Sequence, residues 1–417
     1  MAKISAHIQP NLHLNSMRKF YKKPSLSLLI ALTSLLTING CQTGTKNLNA
    51  DNLTNQILNT TVSVTFAPDG RLWRLTPTDD AVFVDSSTDN GKTYSKPVRV
   101  NPVAQRISAW PENPPAIVVG KSGRIHVLYY ADEQQKSTSF FSYSDDNGQT
   151  FSKPVLISDH ADTARHYMNQ MLVDKNNKVY MFWHDTRHEQ HNSHTAAGSL
   201  SLYYTVTDQP NTGKFTNQFI SDAVCSCCRT AITFSPEEKP VILVRMVFQD
   251  GVRDHALINM VSDGQWSKPQ RITNDDWGIE ACPEHGPALS IDGQGRSHLT
   301  WFTLGDKRQG IFYAHTDDYG KTSSEPMQLG DTSRLSGHSD VLAINNRVVI
   351  AWKEFDGNET SIVIKESFDR GVSWSKDKKI LSSTAKSGYP ELVSNGKSIF
   401  LSWASSDHGH RLMEIKS

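Results

Sequence analysis

The sequence is poor in cysteine, has no excess charge of either sign, and lacks an apolar run long enough to cross a membrane. Its 417 residues include 5 cysteines, and 43 Lys plus Arg balance 43 Asp plus Glu, beside 16 His. Nucleic-acid binders usually carry a basic excess or stripe, so nucleic acid is excluded as the expected partner, although a local charged site is not. The longest apolar run, Leu26 to Ile38, falls short of the ~20 residues a membrane-spanning helix needs. With so few cysteines a dense disulfide scaffold is excluded too, and the chain must hold itself together by burying apolar surface.

What the chain does have is repetition. Ser367-Phe368-Asp369-Arg370-Gly371-Val372-Ser373-Trp374 is matched by Ser87-Thr88-Asp89-Asn90-Gly91-Lys92-Thr93-Tyr94 and by Ser144-Asp145-Asp146-Asn147-Gly148-Gln149-Thr150-Phe151. Thr316-Asp317-Asp318-Tyr319-Gly320-Lys321-Thr322 lacks only the closing aromatic. The pattern suits a tight hairpin in which the Asp carboxylate accepts bonds from turn amides and Gly supplies a positive φ. The aromatic is expected to pack under the turn. A second landmark, a strand, a Gly or Asn turn and a strongly apolar strand, recurs seven times. It lies at 62–75, 115–130, 169–183, 230–247, 287–302, 340–352 and 391–403, a spacing that fits one four-stranded propeller blade per repeat. Ser95-Lys96-Pro97-Val98, Ser152-Lys153-Pro154-Val155 and Ser267-Lys268-Pro269-Gln270 open the fourth strands, and Pro there marks an outer edge. The aspartate turn has decayed in the third repeat, at Thr207-Asp208 with a distant Gly213, and in the fourth, at Ser262-Asp263-Gly264.

These turns resemble the Asp boxes of the sialidase-like β-propellers. The resemblance implies one all-β propeller domain over residues 56–417, with the Asp boxes at its periphery. Seven blades are expected, and six, the number in sialidases, is the alternative. The seventh repeat ends after three strands, so the segment from Leu53 to Leu58 is expected to supply a closing outer strand.

The first forty residues read as a signal peptide. Arg18, Lys19, Lys22 and Lys23 form its positive head, and Met17 opens a more typical leader than Met1 does. Ile38-Asn39-Gly40-Cys41 resembles the lipobox of bacterial lipoproteins, which implies lipidation at Cys41; the alternative is an ordinary cleaved signal. Gln42 after that site implies the outer membrane by the same resemblance. Residues 41–55 then form a polar tether, and a monomer is expected.

The functional mouth of such a propeller is built from the segments leading into the innermost strands and from the loops joining second and third strands. Here they are Trp110-Pro111-Glu112-Asn113, Arg165-His166-Tyr167, Cys225-Ser226-Cys227-Cys228-Arg229, Glu280-Ala281-Cys282-Pro283-Glu284-His285, Ser336-Gly337-His338-Ser339 and Ser387-Gly388-Tyr389, with loops at 185–188, 250–254 and 407–410. Surface loops favour Lys, Glu, Ser and Gly, whereas these are rich in Cys, His, Arg and aromatics.

Tyr389-Pro390-Glu391-Leu392 resembles the segment that carries the sialidase nucleophile, which implies Tyr389 as nucleophile and Glu284 as its activator; Asp254, beside the candidate arginines, is a further catalytic candidate. The bland alternative for Tyr389 is an aromatic packed in the channel. The family's Arg-Ile-Pro is replaced by Thr60-Thr61-Val62, and the strand where another clamp Arg belongs ends in Trp301-Phe302. Without that bidentate clamp much positioning of the substrate carboxylate is lost. The leading expectation is therefore binding of a glycan or other small anionic ligand at the axial mouth, with exo-α-sialidase-type hydrolysis as the alternative. Arg165, Arg187, Arg229, Arg253, His166 and His338 are the candidate ligand contacts, and Arg245 joins them as an anion-holding candidate.

Cys225, Cys227, Cys228 and Cys282 lead into two consecutive blades. Two disulfides are the expectation in an exported protein. The alternative is a site for copper or zinc, with His285, His338 or His166 as further ligands, and with it a metal-binding or redox propeller. His184, His188, His191 and His194 lie on the enlarged third-repeat loop, where a solvated insertion is favoured over a metal site.

Overall fold

The structure, a computed structural model, describes residues 48–133, 136–160, 164–187, 199–279 and 283–416. The expected signal peptide and lipid site at Cys41, together with Cys282, His188, His191 and His194, lie outside these residues.

Seven sheets follow one another along the chain. Their innermost strands are β1 (Ser63–Phe66), β2 (Ala116–Val119), β3 (His166–Val173), β4 (Ala231–Phe234), β5 (Ala288–Ile291), β6 (Leu335–Ile344) and β7 (Glu391–Ser394). Each pairs antiparallel with the strand that follows. The connecting turn places one residue in the left-handed region in every blade: Gly70, Gly123, Asn177, Glu238, Gly295, Asn345 and Gly396. Within a sheet the strands lie in chain order from the axis outward, which makes seven propeller blades; the last has three strands.

The second strand of each blade is its apolar backbone. Val179–Asp185 and Ile399–Ser405 are buried at every position, as expected for short apolar runs covered on both faces. The apolar core is accordingly a series of layers between neighbouring blades. Leu75 and Val84 of the first blade pack with Ile117, Val127 and Tyr129 of the second, and Ile350 and Val363 of the sixth pack with Ile311 and Tyr313 of the fifth.

Ring closure differs from the expectation. Residues 53–58 form no strand but belong to a helix, α1 (Leu48–Asn59), which also takes up the end of the expected tether. Leu58 of this helix is buried in the layer between the first two blades. Among the described residues no strand pairs with the outer edge of Gly409–Glu414. The first and last blades instead meet face to face. Phe66 lies 5.0 Å from Phe400, and the Tyr94 hydroxyl is 3.3 Å from Nδ1 of His410.

The four aspartate turns share one hydrogen-bond pattern. Asp89 accepts the amide of Thr93 at 2.9 Å, its hydroxyl at 2.7 Å and the Ser87 hydroxyl at 2.7 Å, while Gly91 donates its amide to Ser87 at 2.8 Å. Asp146, Asp318 and Asp369 repeat this arrangement. The turn threonine holds the Asp89, Asp146 and Asp318 carboxyls down at about 2. Trp374 then packs edge-on against Tyr313 at 4.7 Å.

At Gly371, φ is +84° and an added Cβ would strike the Tyr313 hydroxyl; at Gly123, φ is +85° but the space is open. Gly123→Ala is thus expected to cost about 1 kcal/mol of backbone strain, and Gly371→Ala about 2–3 kcal/mol, since packing is disturbed as well. Denaturant melts of both variants check this. Equal losses would show that the packing of Tyr313 under the turn contributes nothing.

Candidate functional site

The inner strands bring the approach segments together around the axis. Arg229, on the way into β4, is the central residue. Its Nη2 donates to the carbonyl of Ser339 in β6 at 3.0 Å, and its Nη1 lies 3.5 Å from Oε2 of Glu112, which precedes β2. One side chain thereby links the second, fourth and sixth blades. Glu112 is 0% exposed, and its Oε1 accepts the amides of Arg229, at 3.0 Å, and Gly286. Burial raises the Glu112 carboxyl to about 7 against the pull of Arg229. Gly286 admits no side chain, because a Cβ would fall 2.7 Å from the Arg229 carbonyl and 2.8 Å from Glu112 Oε1.

A column of rings crosses the fifth, sixth and seventh blades. Phe302 stacks on His285 at 4.0 Å, His285 on His338 at 4.1 Å, and His338 on Tyr389 at 3.5 Å. His338 has φ +51° and sits where β6 shifts register between Gly337 and Asp340. Such a bulge re-aims a side chain, and strain of this kind is held only where the surroundings enforce it. Burial keeps both imidazoles neutral, lowering His285 to about 4 and His338 well below its usual range. It also raises the Tyr389 phenol, assisted by the Glu112 charge and opposed by Arg229. Lys353 donates to the Ser387 carbonyl at 3.0 Å, lies 5.5 Å from the Tyr389 ring centre, and is lowered to about 8 by burial.

Two cavities adjoin this column. An axial one of about 360 Å³ is lined by Arg229, Asp340, Tyr389 and Glu391. A recess of about 600 Å³ lies between the fifth and sixth blades, lined by His285, Phe302, Arg334, His338, Lys353 and Phe355. Both fall in the size range of small-ligand sites. In the axial cavity, burial raises Glu391 to about 8, with the Asp340 charge adding to it, and raises Asp340 as well.

The expected site residues divide. Arg229, His285, His338 and Tyr389 come together at the mouth. Glu284 is close enough for its charge to act on Tyr389, but it is exposed, and no hydrogen bond joins the two. Asp254 lies elsewhere, holding Arg271 and accepting the Asp276 amide at 3.3 Å. Arg187 is committed to Asp185 at 2.7 Å and Asp159 at 3.0 Å, over the Tyr203 ring. His166 is stacked on Trp183 at 5.1 Å and bonded to Ser139 at 3.1 Å. Arg165 is exposed. Arg253 turns to Cys225 instead, 3.2 Å from its sulfur. Arg245 is enclosed, donating to the carbonyls of Arg253, His285 and Phe302.

Cys225, Cys227 and Cys228 are free thiols, so the expected disulfides are not present among the described cysteines. Their sulfurs lie 3.7–3.8 Å from Cys225 Sγ, far beyond the ~2.05 Å of a bond. Three sulfurs this close could hold a metal ion. His285 and His338, expected as further ligands, face each other and Tyr389 instead, and His166 lies against Trp183.

Lys353 and Asp340 were not singled out from sequence. Their signal is a charge at the end of an apolar run, in Val348-Val349-Ile350-Ala351-Trp352-Lys353 and in Asp340-Val341-Leu342-Ala343-Ile344.

No family model matches the chain, and no curated protein does. Solved structures share its fold. A polysaccharide lyase, a PL25 ulvan lyase, superposes with TM-score 0.56 at 11% identity, covering 87% of this chain and 93% of its own. The same lyase bound to -[GlcA(1-4)Rha3S]- gives 0.55 at 11% identity, covering 87% and 95%. A Hadza microbial sialidase, Hz136, gives 0.50 at 16% identity, covering 84% and 74%. At such identities the likeness is one of fold.

Proposed function

We propose that this propeller is a carbohydrate-active protein that binds an acidic saccharide at its axial mouth. The observation that carries the reading is Arg229. It is a cation held at the axis by Glu112 and Ser339, beside a column of stacked rings and in the wall of the axial cavity. A guanidinium fixed by its neighbours receives a carboxylate at little entropic cost, while Phe302 and His338 line the recess and Tyr389 lines the axial cavity, where a sugar would meet them. Lys353 adds positive charge in the recess, where Arg334 is paired with Asp331 and Glu354. The saccharide named for one structure of like fold, -[GlcA(1-4)Rha3S]-, is itself acidic, which supports this ligand class.

Sialidase-type hydrolysis is the second reading, favoured by Tyr389 lying within the field of Glu112 and Glu284. The binding reading is preferred because a single arginine stands where a full clamp needs several, and because His338 covers one face of Tyr389. The Asp-box character of the peripheral turns, and export as an outer-membrane lipoprotein through Cys41, belong to the same proposal. Their support is the turn chemistry and the leader sequence.

Titration calorimetry with a panel of acidic and neutral oligosaccharides tests the reading. A hexuronate- or sialate-containing oligosaccharide should bind, and Arg229→Lys, which keeps the charge but loses the fork, should weaken it about tenfold or more. Release of free sugar, lost in Tyr389→Phe, would favour hydrolysis. Binding of neutral and acidic sugars alike would reject the ligand class.

A further inference from the structure

The three free thiols lie beside the mouth but take no part in the proposed saccharide contacts. Cys225 ends the outer strand of the third blade, Gln218–Cys225, and Cys227 and Cys228 lie in the turn that leads to β4. All three are buried, at 0%, 9% and 0% exposure. Cys225 Sγ is 3.8 Å from Cys227 Sγ and 3.7 Å from Cys228 Sγ, and all three sulfurs fall within 4.8 Å of one another. Nη1 of Arg253 donates to Cys225 Sγ at 3.2 Å, and the enclosed Arg245 adds a second positive charge to its surroundings. The buried His255 also stands within the field of Cys225, and neither of its ring nitrogens has a partner among the described residues.

We infer that Cys225, Cys227 and Cys228 form a three-sulfur binding site for a soft monovalent cation of the copper(I) class. Spacing is the first argument. Metal–thiolate bonds of about 2.3 Å place neighbouring sulfurs roughly 3.8–4.0 Å apart; the two separations from Cys225 are 3.8 and 3.7 Å, and the third is within 4.8 Å. Charge is the second. The three thiols release their three protons to solvent as the ion enters, and three thiolates around a monovalent ion leave two negative charges, which Arg253 and Arg245 offset. Ligand number is the third. Zinc in structural sites almost always takes four ligands, and among the described residues no fourth His, Cys, Asp or Glu joins the cluster; soft thiolates in a small set suit copper(I). Such an ion fixes the 225–229 turn from which Arg229 reaches the axis.

The test uses the purified full chain after mild reduction, titrated under argon with copper(I) and, as a redox-inert substitute, silver(I), against a chromophoric chelator. One equivalent of either ion should be retained, with only sulfur neighbours in the copper X-ray absorption spectrum. Cys225→Ser and Cys228→Ser should abolish stoichiometric retention while keeping a cooperative melt. Should those variants fail to fold, Arg253→Met, which leaves every thiol in place, should weaken retention about tenfold or more. No uptake of either ion by the reduced chain, or retention of one zinc(II) with copper(I) refused, overturns the inference. So does copper bound through nitrogen or oxygen. These readouts do not involve saccharide binding, so the two proposals stand or fall separately.

Discussion

Acidifying the protein from pH 7 to pH 5 should lower its Tm by more than about 10 °C. The cause is a set of histidines folded into the blades as neutral rings. Burial lowers His126 and His410 to about 3, and His166, His184, His285 and His298 to about 4. His255 and His338 are pushed well below the usual range. Unfolded, each titrates near 6.5. Between pH 6.5 and 4 the unfolded chain therefore binds more protons than the folded one, and stability falls as pH falls. At pH 5 each such ring costs about 2 kcal/mol, so that the set together rivals the about 5–15 kcal/mol that holds a domain folded.

Glu112 and Glu391 act in the opposite direction. Their carboxyls are raised by burial to about 7 and about 8, so the folded state holds their protons above pH 4.5 and gains stability as pH falls through 8 and 7. Those two groups return about 2–3 kcal/mol each by pH 5 and are outweighed by the histidines. Maximum stability is thus expected at about pH 7–7.5, with a shallow decline toward pH 8. His126 isolates one ring of the set. It stacks on Phe141, and neither of its nitrogens has a partner among the described residues. His126→Phe should recover about 2 kcal/mol at pH 5 and much less at pH 7. Thermal melts across pH check both points, and a flat Tm between pH 7 and 5 would show that the rings are solvated.

Replacing Arg229 by Leu should cost about 3–5 kcal/mol at pH 8, because it strands the buried carboxylate of Glu112 without a counter-charge. The loss should shrink at pH 6, where Glu112, already raised to about 7, takes up a proton and no longer needs the pair. Adding Glu112→Gln should recover at least about 1 kcal/mol of the pH 8 loss, as expected for two groups in direct contact. Denaturant melts of the two single variants and the double at both pH values give the answer. Equal losses at pH 6 and pH 8 would mean that Arg229 stabilises through its Ser339 bond and packing, and that the ion pair across the axis contributes little.

Much of this architecture is legible in the sequence because a blade is a local object. The aspartate turn closes its hydrogen bonds within seven residues, from Ser87 to Thr93, and the hairpin of β1 with Leu72–Pro77 needs only the left-handed Gly70 between them. Ring closure is less local, and the segment before β1 illustrates why. In Leu53-Thr54-Asn55-Gln56-Ile57-Leu58 the apolar residues fall four and five apart, a helical rather than an alternating spacing, and the requirement for a missing strand was set above that pattern. The last blade keeps three strands among the described residues, and it meets the first through the packing of Phe66 on Phe400.

At the site, segment-level convergence is readable while pairing is not. Arg229 and Glu112 are 117 residues apart, and nothing in their local sequence marks them as partners. Arg187 and Asp254, chosen by the same reasoning as Arg229, are occupied by neighbours on their own blades, Asp185 and Arg271. Residue type and approximate height in the propeller can be read from spacing; which way a guanidinium turns depends on carboxylates brought in by distant strands. The cysteines carry the same lesson, since Cys-Ser-Cys-Cys is compatible with either a bridge or a thiol cluster until sulfur positions are known.

The central claim, that the axial mouth recognises a carboxylate, is tested most directly by a pair of ligands differing only in that group. A uronate oligosaccharide and its carboxyl-reduced analogue, titrated in parallel into the wild-type chain at pH 7 and moderate salt, should differ in affinity by at least about tenfold. The difference should shrink in Arg229→Lys, which keeps the charge but loses the fork. Equal affinity of the two ligands for the wild type would contradict the account.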